Sequence, residues 1–443
     1  MRSKRSFKAL FWPTFIELLF FMLMGTVDTL MLSNYSDYAV GSVGNANTLI
    51  IMFSVLLLIV SNGVAVLVSQ YLGAKKEEVA HRMIGTGIIV NFVIGFILAS
   101  ALILSADLLL NLVNTESVLF DNSKTYLSVI AISLFFVSVI NVITASLRSY
   151  GFAKYITMVV IIANVLNIIG NFVLIYGYLG FPRLGVYGAA LSTLIVRALM
   201  MLIYFFLLFK VLKFKLKEIR LNRESMKQIL KIGLPSAAES WTYTIMQAII
   251  LSMINSLGAD FTITRTYINT ILTYIYIFSI AFASVNAVMI GYYIGERKYE
   301  KAYQETFKTI TRNFFIVLTM VLVVNLTSKY ILGVFTTSEV IISSARRILW
   351  IALFLETGRG VNLIMIQSLR SAGDTTFPLV MALFSMIGVA IPMAYFLGIY
   401  FGFGLFGIYI AYASDELIRA SFMFFRWQSR KWEAKSYYLE KTS

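Results

Sequence analysis

The chain has 443 residues, 59% of them hydrophobic and only 13% charged, with a formal net charge of +15 and no cysteine. Soluble domains carry roughly a quarter charged residues, so a soluble fold is excluded, and the missing cysteines exclude disulfides and thiolate metal sites. The positive balance fits membrane topology rather than nucleic acid, because basic residues of integral membrane proteins collect in cytoplasmic segments.

The opening MRSKRSFK carries Arg2, Lys4, Arg5 and Lys8 and leads into an apolar run from Ala9 to Asn34. A signal peptide has a short apolar core and a small-residue cleavage site. This run is longer and shows no such site, so it reads as a retained first helix. About 20 apolar residues cross a bilayer as a helix. On that ruler twelve segments follow one another, at 9–33, 42–72, 83–112, 123–149, 155–177, 185–209, 232–256, 262–294, 310–333, 341–369, 377–398 and 402–425. Transmembrane strands would alternate over stretches of about ten residues, and these runs are continuous instead. The expected fold class is all-α and integral to the membrane. His81, the one histidine, falls among charges between the second and third segments and reads as a structural or solvated side chain in a short loop.

The second half of the chain repeats the first. Pro13 and Glu17 fall on Pro235 and Glu239, YLGAKKEEVA (71–80) on YIGERKYEKA (293–302), and LRSYG (147–151) on LRSAG (369–373), all at one offset of 222 residues. Between the halves, KVLKFKLKEIRLNRESMKQILK (210–231) carries eight basic side chains against Glu218 and Glu224. The expected organisation is a six-helix lobe at 1–209, a basic cytoplasmic linker at 210–231 and a second six-helix lobe at 232–443. Placing the N-terminus, the loops after even-numbered helices, the linker and the C-terminus on one side gives that side 28 Lys and Arg, against six on the other. Both termini are therefore expected to be cytoplasmic. An even number of helices per half gives the halves one orientation, a parallel repeat about an axis along the membrane normal, and transporters of that design bind substrate between their halves.

Charged residues inside helices cost several kcal/mol, roughly 3 on insertion scales, and normally face a partner or water. Arg197, Arg359, Arg419, Glu17, Asp28, Glu239, Glu356, Asp415 and Glu416 all fall within segments. Glu356 with Arg359, and Glu416 with Arg419, are three apart and share a helix face, so they read as structural pairs. Asp28 has no basic residue within a turn or two. Burial without a cation disfavours the charged form of a carboxyl, which suits a proton carrier; the alternative is a neutral aspartic acid hydrogen-bonded between helices. The fifth segment adds Asn164, Asn167 and Asn171, whose amide oxygens are hard ligands suited to a small cation or interhelical hydrogen-bonding groups. Tyr267, Tyr274, Tyr276, Phe278 and Phe282 crowd the eighth segment, either as packing or as a lining for lipophilic cations.

Pro13, VDTLMLSNYSDYAVGSVGNAN (27–47), SQYLGAKK (69–76), LRSYG, GLPSAAE (233–239) and ETGRGVNLIMIQSLRSAGDTTFP (356–378) together resemble the multidrug and toxic compound extrusion (MATE) transporters, over nearly the whole chain. The resemblance implies an antiporter that expels organic cations against proton or sodium entry. It makes Asp28 the cation-coupling residue, accompanied by Asn167 and Thr193. The family's second fifth-helix position is often Asp; here it is Asn171, which leaves one carboxylate in the cluster and keeps both a proton site and a weaker sodium site open. Some members place a glutamate eight residues after the seventh-helix proline, where this chain has Tyr243, so Glu239, Glu356 and Arg359 are the candidate polar residues of the second lobe.

A major-facilitator transporter would carry a G-x-x-x-D-[RK]-x-G-[RK]-[RK] loop, which GAKKEEVAHR does not match. A lipid-linked saccharide flippase of the same superfamily is the competing function. The chain has no G-x-x-x-x-G-K-[ST] loop and lacks the usual nucleophile–base or metal residues, so no enzymatic activity is expected. The expectation is thus a multi-pass antiporter of the plasma membrane, a monomer without cofactor, coupled to protons or sodium, with lipophilic organic cations and the bilayer as its partners.

Overall fold

The structure, a computed structural model, describes residues 7–112, 115, 117–336 and 338–435. Arg2, Lys4, Arg5 and Lys441, which enter the charge asymmetry, lie outside these residues. Lipid offers backbone groups no hydrogen bonds, so each spanning segment must satisfy its own, which a helix does. Among the described residues there is accordingly no strand and there are twelve long helices. The first six are α1 (Phe7–Ser33), α2 (37–73, with a tight turn at Val55–Leu57), α3 (Glu77–Leu104), α4 (Ser117–Ser149), α5 (Ala153–Tyr176) and α6 (Gly185–Val211). The second six are α7 (Arg223–Leu257), α8 (Ala259–Gly295), α9 (Tyr299–Phe335), α10 (Glu339–Ala372), α11 (Thr376–Tyr400) and α12 (Gly404–Gln428). Among the described residues nine of them, α2 to α6 and α8 to α11, are long and apolar enough to cross a membrane by length and composition.

Helix boundaries differ from the apolar runs mainly at charged ends. The third run, read as one segment to residue 112, breaks at Ser105 into α3 and a short helix, Ala106–Leu112. At its other end α3 begins at Glu77 rather than 83, with Glu77 and Glu78 in its first turn, where carboxylates meet the positive end of the helix dipole. His81 therefore lies inside a helix and is 9% exposed, which corrects the solvated-loop alternative. Likewise α7 starts at Arg223, so only 212–222 separates it from α6, less than the expected 210–231. The interleaved apolar residues Leu212, Phe214, Ile229 and Ile232 are buried.

The chain forms two compact units, dividing after Gly233, apart from Gly73–Lys75, which group with the second. In the first, α4 is the hub, packing on α2, α3 and α6, while α5 packs on α1 and α6. Leu49, Leu127, Leu134 and Ala190 belong to its apolar core. In the second, α10 takes the equivalent place against α8, α9 and α12, around Ile268, Leu349 and Ile408. Phe96, Leu104, Leu202, Phe315 and Leu326 stay exposed, as lipid-facing side chains must.

The repeat extends to backbone geometry. Lys75 and Arg297 both adopt left-handed φ, 57° and 58°, and the next residue in each case bonds back to the tyrosine, Lys76 N to Tyr71 O and Lys298 N to Tyr293 O, at 2.8 Å. Gly151 and Gly373 end α4 and α10 at φ 87° and 96°, a conformation that glycine adopts without strain. Phe152 N to Leu147 O and Asp374 N to Leu369 O, both 2.9 Å, close the two helix ends in the manner of a C-terminal cap.

Candidate functional site

In the first lobe four of the sequence candidates meet. Asn167 and Asn171, one helical turn apart on α5, are fully buried. Asn171 Nδ2 donates to Asp28 Oδ1 on α1 at 2.6 Å and to Asn167 Oδ1 at 3.3 Å. Asn167 Nδ2 in turn donates to Ser192 Oγ at 3.4 Å and Thr193 Oγ1 at 3.3 Å on α6, and Ser192 Oγ returns a bond to Asn167 O at 3.2 Å. Gly170 lets α6 come this close, because a Cβ there would overlap Ser192 Oγ. Nearby, Tyr176 OH donates to Met31 O at 2.6 Å and ties α5 to α1 one turn beyond Asp28. Among the described residues, Asn171 Oδ1 is left buried with no hydrogen-bond partner. Asn164 stays out of the cluster and bonds to Val160 O of its own helix at 2.8 Å.

Arg197 was missing from the sequence reading of this site. It is distant from Asp28 in the chain, but α6 brings it within electrostatic range of Asp28 and Tyr126. Its Nη1 donates to Ser133 Oγ on α4 at 2.5 Å. The only sequence signal was a basic residue inside an apolar segment.

The second lobe holds a larger set of charges. Glu356 pairs with Arg359 at 2.6 Å and Glu416 with Arg419 at 2.9 Å, the two intrahelical pairs that the spacing suggested. The structure joins them: Arg359 Nε lies 3.4 Å from Glu416, and Arg419 also binds Asp415 at 2.6 Å. Asn362 Nδ2 donates to Glu416 Oε2 at 2.8 Å and Ser385 Oγ to Asp415 Oδ1 at 2.7 Å. Each carboxylate in the set thus faces a guanidinium. Glu239, grouped with Glu356 and Arg359 from the sequence, is not among them. It pairs with Arg370 of α10 at 2.6 Å, as Glu17 pairs with Arg148 of α4 at 2.7 Å.

Two stretches, residues 13–173 and 235–396, match the family MatE, and the matches begin 222 residues apart, at the two helix prolines. An uncharacterized transporter of Bacillus subtilis (strain 168), YisQ, is 36% identical over 430 residues, 96% of this chain and 94% of its own length. A probable multidrug resistance protein NorM of Thermotoga maritima is 26% identical over 94% of this chain and 90% of its own. A solved transporter of the MOP superfamily from Pyrococcus furiosus shares the fold, with a TM-score of 0.89 at 21% identity over 97% of this chain and 96% of that one. The duplicated match, the twelve helices and the 36% relative agree: this multi-pass membrane protein is a transporter, not an enzyme, and belongs to the MatE family of multidrug and toxic compound extrusion proteins.

Proposed function

We propose that the protein is a cation-coupled antiporter that exports lipophilic organic cations by alternating access, with Asp28 taking the proton or sodium ion. The observation that carries this reading is the hydrogen-bonded set formed by the partly buried Asp28 with the buried Asn171, Asn167 and Thr193. A carboxylate beside a buried amide oxygen that has no partner among the described residues, Asn171 Oδ1, is an environment that a proton-bearing or cationic group would complete, since an orphaned buried acceptor costs about 1–3 kcal/mol. With Asn at position 171 the set holds one carboxylate, which suits a proton better than a metal cation that draws on several anionic oxygens. The charge asymmetry supports placing both termini on the cytoplasmic face of the plasma membrane; the proposed working unit is a monomer.

The test is ethidium movement in proteoliposomes under an imposed proton or sodium gradient. Proton-driven movement supports the reading, and sodium-driven movement keeps it with the other ion. No movement under either gradient, together with flipping of a lipid-linked saccharide precursor, would replace the antiporter with the flippase.

A further inference from the structure

The second lobe forms a half-open cavity of about 320 Å³ among α7, α8, α10 and α12, at the small end of ligand-sized pockets, which run from ~300 to ~1,000 Å³. It is distinct from the Asp28 cluster of the first lobe, and nothing in the coupling scheme uses it. Its lining is aromatic and rich in donors. Tyr412 OH donates to Gln247 Oε1 at 2.9 Å, Gln247 Nε2 to Tyr243 OH at 2.9 Å, and Tyr409 OH to Asn269 Oδ1 at 3.1 Å. The amide oxygens of the lining are thereby already occupied.

Two guanidiniums line the cavity and no carboxylate does. Arg359 is neutralised from behind by Glu356 and Glu416, and its head lies 5.3 Å over the Tyr276 ring. Arg265 differs. Among the described residues no carboxylate pairs with it, it hydrogen-bonds to the Tyr412 hydroxyl, and its buried Nε has no acceptor. A partly buried cation with an orphaned donor is costly, and a guanidinium fork matches the geometry of a carboxylate. The tyrosine faces offer room for a flat apolar body beside it. Of the aromatics that the sequence placed on α8 as a lining for cations, Tyr276 reaches this cavity, and the uncompensated charge of Arg265 opposes a cationic occupant.

We infer that the second-lobe cavity is a binding subsite for an aromatic carboxylate, an organic anion or the anionic end of a zwitterion, anchored by Arg265. The inference goes beyond the antiport reading and does not rest on it.

The experiment uses the full-length protein in lipid nanodiscs without any ion gradient, so a failure of ion coupling and a failure of this inference are separable. Calorimetry compares two probes of matched body and opposite charge, naphthoate and naphthylmethylammonium. Wild type is expected to bind naphthoate at least about tenfold more tightly than the ammonium probe. Arg265→Gln is expected to weaken naphthoate by about tenfold or more, the loss of one charge-assisted contact, and Arg265→Lys to weaken it less. Thr273→Trp, which fills the cavity from α8, is expected to abolish naphthoate binding. Absence of naphthoate binding to wild type, equal or tighter binding of the ammonium probe, or naphthoate affinity unmoved by Arg265→Gln or Thr273→Trp would overturn the inference. Should Arg265→Gln fail to fold, the probe pair on wild type and Thr273→Trp decide it.

Discussion

Arg148 and Arg370 do the same work in the two halves. Each sits in the last turn of its lobe's hub helix and reaches across 131 residues of sequence to a glutamate four positions after a helix proline, Glu17 or Glu239. Removing one partner of a buried ion pair strands the other charge, at a cost of about 3–5 kcal/mol. The second pair is the better enclosed, with side chains 9% and 10% exposed against 17% and 23% for Glu17 and Arg148. Glu239→Ala is therefore expected to lower the thermal midpoint of the purified protein more than Glu17→Ala, with partial recovery in the double variant Glu239→Ala/Arg370→Ala; size-exclusion chromatography after heating measures it. The sequence displayed all four residues at the repeat offset. It did not display the pairing, because spacing along a chain carries no information about contacts between distant helices. Glu239 was accordingly placed with Glu356, although its equivalence to Glu17 was the available sign of a different role. Asp28, Asn167 and Asn171 were legible as polar residues inside apolar segments, but Thr193 and the joining of the four into one cluster came only through resemblance to a family; Arg197, within electrostatic range of Asp28, had no motif to announce it.

At the scale of elements, each lobe is sealed by the segment that follows its last helix. In the first lobe residues 212–222 fold back onto α3: His81 Nδ1 donates to Glu218 Oε1 at 3.1 Å, Phe214 lies 5.3 Å from the His81 ring, and a Cβ on Gly85 would overlap the Glu218 carbonyl. In the second, the chain after α12 lies on α9, with Arg430 4.5 Å over the Tyr303 ring and Trp432 6.2 Å from Tyr299. The repeat accordingly breaks at these positions: His81 and Gly85 correspond to Tyr303 and Phe307. That mismatch is where the docking was readable in the sequence, as a glycine in one half facing a bulky residue in the other. Gly85→Phe should displace the segment and speed tryptic cleavage at Lys215 and Lys217, both exposed; unchanged cleavage would refute the docking. The same contact carries a pH dependence. Burial raises the Glu218 carboxyl, but hydrogen bonds from the Lys215 N–H and from His81 outweigh it and hold Glu218 below its usual 4.5. A carboxyl lowered in the folded state stabilises docking above that value, and the contribution is lost as pH falls from 4.5 through the folded pKa. Hydrogen exchange of residues 212–222 is expected to rise over that acidic window, and Glu218→Gln to flatten the dependence.

For the whole molecule, hydropathy and the 222-residue offset made the class, the helix number and the two-lobe plan legible, because bilayer thickness and backbone satisfaction leave few solutions. Helix ends were less legible, since α3, α7 and α9 begin ahead of their apolar runs in first turns that carry acidic residues, which a hydropathy ruler discards. The central claim is that one carboxylate in the first lobe couples an ion gradient to export. The charge set of the second lobe, with every carboxylate facing a guanidinium, is the alternative seat. Ethidium efflux from proteoliposomes under an imposed proton gradient, compared between wild type and Asp28→Asn, tests the choice most directly. The account predicts gradient-driven efflux in wild type, and loss of the response to the gradient in the variant with the folded protein retained; efflux still driven by the gradient in Asp28→Asn would contradict it and move coupling to the second lobe.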